Sequence, residues 1–586
     1  MPPLIQVRVA SAVSAATLPA LLAYSLSPSP TYLNQALAFA LWALFALFTA
    51  PRLPGRGPWA LWAVLAALAL AAAWSWGPGA LPSSLALSVL GTLFAAAVLV
   101  AAGGGARARP DAEALFTAFA WAWVVCGGLN IAIALVQVFA STLPDGSWIA
   151  ASGIPGRAVG NLRQPNHLSS LLLWHCIAVV ALLQLGRLRR VWAGVLLALG
   201  VFAVVLTASR TGLVSVLLLA AWGLLDRRLS RPARMLLVAA PVAYALSWLG
   251  MAQWAELTQH TFGGAQRLAE ADVGGSRVAI WRDTLTLIAQ QPWAGVGFGE
   301  FNLAWTLTPL PQRPVAFFDH THNLPLQLAV ELGLPLATLV MALLLWALWR
   351  GLRRAWATPG NLGTAQRCAM LMVLMIGLHS LLEYPLWYSY FLLPAAWAWG
   401  FALQAGTAPK PAPADAAPRR ACRPLMALAA VVLAGAAFSV FDFLRVASIF
   451  SAAPGDAPLA QRIASGQRSV FFAHHADYAA VTAGLPVAEP ERAFDRVVHY
   501  LLDARLMMAW AEALAQRGDV DAASHIAERL REFRKPDAGE FFSVCEPAAA
   551  PAASAPAAAA AASAPPFQCK PPARVPGWRS FVRAGF

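Results

Sequence analysis

Thirteen apolar runs, each near the length that crosses a lipid bilayer, fill most of the 586-residue sequence. They fall near 9–26, 33–50, 58–76, 83–102, 114–140, 167–185, 191–208, 211–226, 235–250, 325–349, 368–384, 386–404 and 425–443. A spanning helix needs about 20 mostly apolar residues, and in hydrocarbon a chain must satisfy its backbone polar groups internally. Only 12% of the residues are charged, against about 25% in a soluble domain. An ordinary cytosolic enzyme is excluded. The expected fold is an all-α polytopic membrane protein with about 12–13 transmembrane helices. Arg8 precedes the first run without a small-residue cleavage site, so that run reads as a retained span.

The formal charge of +14 sits mainly in short Arg clusters between the runs, so we expect no nucleic-acid partner. With a cytoplasmic N-terminus the inner loops hold Arg52 and Arg56; Arg107 and Arg109; Arg187, Arg189 and Arg190; and Arg227, Arg228, Arg231 and Arg234. Arg350, Arg353, Arg354 and Arg367 follow, then Lys410, Arg419, Arg420 and Arg423. The outer connections hold Arg157, Arg163 and a lone Arg210. That asymmetry is the positive-inside pattern. It puts a large loop (251–324) and the whole C-terminal tail outside.

The chain thus divides into N-terminal helices (1–110), a second membrane region (111–250), the outer loop (251–324), C-terminal membrane helices (325–443), an outer helical region (444–545) and a tail (546–586). Residues 457–535 carry amphipathic patterning with a turn at Arg517–Gly518–Asp519, as in stacked helical hairpins. Residues 547–566 are almost entirely Ala, Pro and Ser, a linker that cannot bury a core. Cys545 and Cys569 flank it and are expected to pair if that side is oxidising.

Ionisable side chains are costly at membrane depth and mark function. Here they gather at the outer ends of the runs. Asn161, Gln164, Asn166 and His167 enter the sixth; Arg210 lies in a turn; Arg277 and Arg282 lie in the large loop. His320 and His322 close that loop, and His379 and Glu383 approach the outer end of the eleventh run. Asn323 is a good N-cap, and Asn323, Gln327 and Glu331 then form one polar stripe at i, i+4, i+8. His379 and Glu383 repeat the i, i+4 spacing, and the two can satisfy each other. Tyr384, Trp387, Tyr388 and Tyr390 read as an interfacial aromatic belt. Guanidiniums suit a diphosphate, and a neutral imidazole can take a proton from an attacking hydroxyl. His320, His322 and Glu331 have metal-ligand types, but no further His or Cys stands at metal spacing. No Walker loop is present, so nucleotide hydrolysis is not the expected driver. The residues alone indicate a membrane enzyme acting on a lipid diphosphate outside the cytoplasm.

Asp319-His320-Thr321-His322-Asn323-Leu324-Pro325-Leu326-Gln327 with Glu331-Leu332-Gly333 resembles the signature of the O-antigen ligase and polymerase superfamily. Ser209-Arg210-Thr211-Gly212, Arg277-x-x-x-Trp281 and Pro292-Trp293-Ala294-Gly295-Val296-Gly297 fit it too. Gly160-Asn161-x-x-Gln164-x-Asn166-His167 and His379-Ser380-Leu381-Leu382-Glu383-Tyr384-Pro385-Leu386-Trp387-Tyr388 resemble the pilin-glycosylation-ligase branch, the PglL-type protein O-oligosaccharyltransferases. The resemblance implies a GT-C-like enzyme of the bacterial inner membrane, embedded among its lipids, that needs no nucleotide sugar, no metal and no cofactor. It would move a preassembled glycan from undecaprenyl diphosphate to Ser or Thr of a pilin or other periplasmic protein. By resemblance Arg210 and Arg277 hold the diphosphate, His322 or His320 removes the proton, and Gln164, Asn166 and His167 bind donor or acceptor. Ligation to a lipid A-core and glycan polymerisation share that core. A flippase for lipid-linked sugars would instead line the whole bilayer with polar residues.

Overall fold

The computed structural model describes residues 3–49, 55–269, 275–310, 313–405, 422–484, 490–546 and 565–583. Arg52, Lys410, Arg419, Arg420 and the Ala/Pro stretch over 547–564 lie outside the described residues. Each expected run is a helix: α1 (Pro3–Leu21), α2 (Tyr32–Thr49), α3 (Trp59–Trp76), α4 (Ser83–Arg107), α5 (Ala112–Phe139), α6 (Pro165–Gln184), α7 (Arg190–Leu206), α8 (Arg210–Leu225) and α9 (Arg231–Thr258). The large loop carries α10 (Gly263–Ala269), α11 (Gly275–Gln290) and α12 (Phe301–Leu307). The membrane series resumes with α13 (Leu324–Ala357), α14 (Gly360–His379), α15 (Ser389–Leu403) and α16 (Arg423–Phe450). Among the described residues nine of these are long and apolar enough to cross a membrane, and α7, α8 and α15 are apolar but shorter. The chain is an all-α, multi-pass membrane protein.

Small residues let the bundle close without a hydrophobic drive between helices. A Cβ on Gly103 would stand 2.0 Å from the Trp397 carbonyl oxygen, and one on Gly400 would stand 2.1 Å from that of Val100. So α4 and α15 meet backbone to backbone. At the end opposite the large loop, cations are consumed. Arg8 and Arg109 share Asp111, and Arg367 pairs with Asp226 at 2.9 Å with both side chains sealed from solvent.

The single continuous run expected over 325–349 is broken. Gly333 sits at φ 74°, ψ 161° ahead of Pro335, a conformation glycine adopts without a Cβ clash. Residues 292–297 dock into the break. Leu334 N donates to Pro292 O (2.8 Å), Val296 N to Val330 O (2.8 Å) and Gly297 N to Glu331 O (3.1 Å). The polar stripe of Asn323, Gln327 and Glu331 therefore belongs to a short first half of α13, aligned by the large loop.

The outer loop and the tail are not separate units. Ile280, Val296, Phe301 and Trp305 of the loop share one apolar core with Phe494, Leu506, Trp510 and Phe533 of the tail. The tail adds α17 (Leu459–Gly466), α18 (Ala473–Thr482), α19 (Pro490–Val497), α20 (Ala504–Gln516), α21 (Val520–Glu532), α22 (Gly539–Ser543) and α23 (Trp578–Arg583). The hairpin of α20 and α21 turns at Gly518 (φ 91°), with Asp519 capping α21. Cys545 and Cys569 are joined as a disulfide with Cα atoms 5.3 Å apart. Beyond it, Trp578 and Phe581 pack into the shared core, so residues after the linker are part of the fold.

Candidate active site

The loop into α13 is held from several sides. Asn323 caps the helix, its Oδ1 accepting from Leu326 N at 3.0 Å. Thr321 N donates to Gln327 Oε1 (2.8 Å) and Trp281 Nε1 donates to Thr321 O (2.9 Å). Between them His322 takes φ 54°, a left-handed conformation uncommon for a residue with a side chain. Such strain persists where the surroundings over-determine it.

That conformation brings His322 Nδ1 to 2.7 Å from Glu383 Oε2. The other carboxylate oxygen, Oε1, is paired with the Arg277 guanidinium and accepts from Asn166 Nδ2 at 3.1 Å. Asn166 Oδ1 in turn accepts from Ser209 Oγ at 2.7 Å. Ser209 caps α8 through the Gly212 N–H (3.1 Å), which fixes Arg210 as the first residue of that helix. Four distant stretches thus meet through one carboxylate. Burial works against ionising Glu383, but the hydrogen bond and charge of His322, then the charge of Arg277, outweigh it and pull its carboxyl to about 2. An ionised carboxylate is acceptor-only, so Nδ1–H donates to it and Nε2 is the ring atom left to accept a proton.

His320 is built differently. Its Nδ1 stands 3.0 Å from Asp319 Oδ1, and its ring stacks on Tyr384 with centroids 4.4 Å apart. His379 and Glu383 do not pair. The α14 helix ends at His379, whose Nδ1 faces Ser170 Oγ at 2.8 Å. His167 lies buried beside it, with Tyr390 OH 3.0 Å from Nδ1. Tyr384, Tyr388 and Tyr390 accordingly pack on the site histidines, which corrects the belt expected for them.

Several amides expected as ligand contacts are occupied by the protein. Asn161 is buried, accepting from Ala150 N (2.9 Å) and donating to Leu21 O and Trp148 O. Gln164 caps α6 at His167 N (2.8 Å). Gln327 donates to Glu331 (2.9 Å) beneath the loop. Arg282 is exposed and, five residues beyond Arg277, lies about 140° around the helix, away from the network. Arg210 donates to Arg267 O at 3.2 Å. With Arg267, Tyr244 and Trp248 it lines a cavity of about 420 Å³. The motif reading did not single out Ser170, Arg267 or the cap at Ser209. Only Ser209 had a signal to find it by, its position ahead of a helical run. Among the described residues no three His, Cys, Asp or Glu side chains are grouped to hold a metal ion.

Comparison with known proteins adds identity to this geometry. Residues 193–341 match the O-antigen ligase family, 158–183 the protein glycosylation ligase family, and 368–539 the C-terminal part of a virulence-factor membrane-bound polymerase family. A general O-oligosaccharyltransferase of Acinetobacter baylyi is 28% identical over 320 residues, 51% of this chain and 53% of that protein. A ComP-specific O-oligosaccharyltransferase of the same organism is 25% identical over 285 residues, 48% of this chain and 50% of that protein. The chain thus spans about half the length of these curated relatives. The network assembled by Glu383 therefore sits in a multi-pass membrane chain with segments that match the O-antigen ligase and protein glycosylation ligase families, and with O-oligosaccharyltransferases among the proteins it is similar to.

Proposed function

We propose that the chain is a protein O-oligosaccharyltransferase of the bacterial inner membrane. It transfers a preassembled glycan from undecaprenyl diphosphate to Ser or Thr of a pilin or other periplasmic protein. One observation carries this reading: a single buried carboxylate, Glu383, holds both an imidazole and a guanidinium and is tied through Asn166 to the helix start bearing Arg210. Glu383 keeps Nδ1 of His322 protonated, so Nε2 takes the acceptor hydroxyl's proton. The acceptor oxygen bonds to the anomeric carbon of the first sugar while that carbon's bond to the diphosphate oxygen breaks. The electron pair leaves with the diphosphate, whose charge Arg210 and Arg277 hold. The N-terminus is cytoplasmic and the site periplasmic, in keeping with the Arg clusters at the opposite end and a disulfide on the site's side.

The test is coexpression with a lipid-linked glycan pathway and candidate pilins. The expected result is the mass of an intact glycan on Ser or Thr, lost in His322→Ala. A second reading draws on the polymerase family matched over 368–539: the acceptor hydroxyl belongs to another lipid-linked glycan. Lengthened glycan on lipid, with unmodified protein, would establish that reading instead.

A further inference from the structure

The shared core of loop and tail has a consequence at the site. Asn302 of α12 is buried and bridges the two: its Oδ1 accepts from Leu502 N at 2.9 Å, and its Nδ2 donates to Phe318 O at 2.7 Å. Leu502 of the tail is thereby tied through Asn302 to Phe318, four positions before His322. Just before this stretch of tail, His499 Nδ1 lies 2.7 Å from Glu300 Oε2, and both side chains are buried.

Two side chains on this seam remain open to solvent. Tyr500 is 37% exposed and the Asp319 side chain 47%, although neighbours crowd both. The Tyr500 ring is steadied by His474 and His475, with centroids 4.4 and 4.9 Å away, and His474 is anchored near Ser84 Oγ at 3.1 Å. Burial holds the His475 imidazole down to about 4, so it adds no charge at neutral pH. Tyr500 and Asp319 stand two residues and one residue from the two ends of the Asn302 bridge, and Tyr388 stacks on Tyr384 with centroids 6.1 Å apart. Asp319 lies next to His320, whose ring rests on Tyr384.

We propose that Asp319 and Tyr500, with Tyr388 of the membrane helices, form a sugar subsite to which the outer tail contributes. It takes the sugar of the donor nearest the diphosphate. The chemistry suits a hydroxyl-rich ring: an ionised carboxylate has about four lone-pair sites for hydroxyl donors, and a phenol offers an apolar face with a polar tip. One carboxylate among neutral rings gives an extended acceptor peptide little to grip. The position also fits, because the sugar nearest the diphosphate must lie beside His322. The inference rests on the donor reading above.

The test measures binding to the detergent-solubilised full chain with two probes. One is a short-chain prenyl diphosphate bearing a single sugar; the other is the same prenyl diphosphate without it. Tyr500→Ala and Asp319→Asn should each weaken the sugar-bearing probe about tenfold, the loss of roughly one good contact, and leave the bare probe unchanged. Tyr500→Phe keeps the ring and should bind the sugar-bearing probe nearly as the parent does, which separates stacking from misfolding. If both probes bind the parent and neither variant distinguishes them, the subsite is wrong. If the variants instead raise the acceptor KM alone, the seam belongs to the acceptor and the inference fails. A parent that binds neither probe overturns the donor reading itself.

Discussion

Two Arg–carboxylate pairs stand at opposite ends of this bundle, and they do different work. At one end Arg367 and Asp226 are 4% and 0% exposed. Asp226 also accepts from Trp222 Nε1 (3.2 Å) and Arg228 N (3.1 Å), and Arg367 donates to Thr364 Oγ1 (3.1 Å). The partners of that pair are all protein, in a closed setting. At the other end Arg277 keeps 33% exposure beside Glu383 at 8%, and the carboxylate is shared with an imidazole and an amide. A sealed pair holds helices together. An open pair that orients an imidazole can meet a substrate.

The comparison breaks most sharply at His322. Removing a general base costs about 10²–10⁴ in rate, so His322→Ala should nearly abolish transfer, read as glycosylated acceptor per folded enzyme. Next is Glu383→Gln, which frees His322 to turn and leaves Arg277 without its partner. A misplaced group can cost about 10²-fold, and the loss should appear in kcat at saturating donor. The pH dependence follows from the direction of the shift. Glu383 is depressed from 4.5 to about 2, so its contribution is present above the ordinary value and lost only as pH falls from about 4.5 towards 2. A pH–rate profile between about 5 and 8 should therefore show no limb from Glu383.

Arg277→Lys keeps a charge but loses the planar fork. A charge-assisted hydrogen bond contributes about 1.5–3 kcal/mol, so donor use should fall about 10- to 100-fold, seen in kcat/KM for the donor. At the sealed end the effect changes kind. Asp226→Asn strands a buried guanidinium and should destabilise the bundle by about 3 kcal/mol. Thermal unfolding would show it, while transfer per folded molecule stays at the parent rate. Cys545→Ser should have the smallest effect on transfer, since the bridge lies away from the Glu383 network. Protease sensitivity after residue 546 should rise as α23 loses its tether.

These contrasts also show what the sequence makes legible. Apolar runs announce helices because bilayer thickness and backbone satisfaction leave few alternatives, and all thirteen appear. Charge counting is blunter. Arg367, read as one more loop anchor, is a buried partner of Asp226, because an Arg at a span's end signals equally well in either role. Asn161, Gln164 and Asn323 belong to motifs of the ligand-binding kind, yet their amides serve the backbone of turns and helix starts. A side-chain amide beside a Pro-initiated helix carries a capping signal that a motif match conceals. Glu383 appears in sequence as an i, i+4 partner of His379 and as one residue of a family-like stretch, neither of which names its partners. Its real partners lie 61, 106 and 217 residues away, and no local pattern encodes such distances. The joining of loop and tail into one core was hidden for the same reason.

The central claim is that Glu383 presents His322 for proton removal at an open ion pair. It is tested most directly by the single-turnover transfer rate of His322→Ala in proteoliposomes, with donor binding measured in parallel. The account predicts unchanged donor binding and a rate reduced by about 10²–10⁴. Transfer by His322→Ala at the parent rate, with His320→Ala inactive, would contradict it and move the proton to the imidazole stacked on Tyr384.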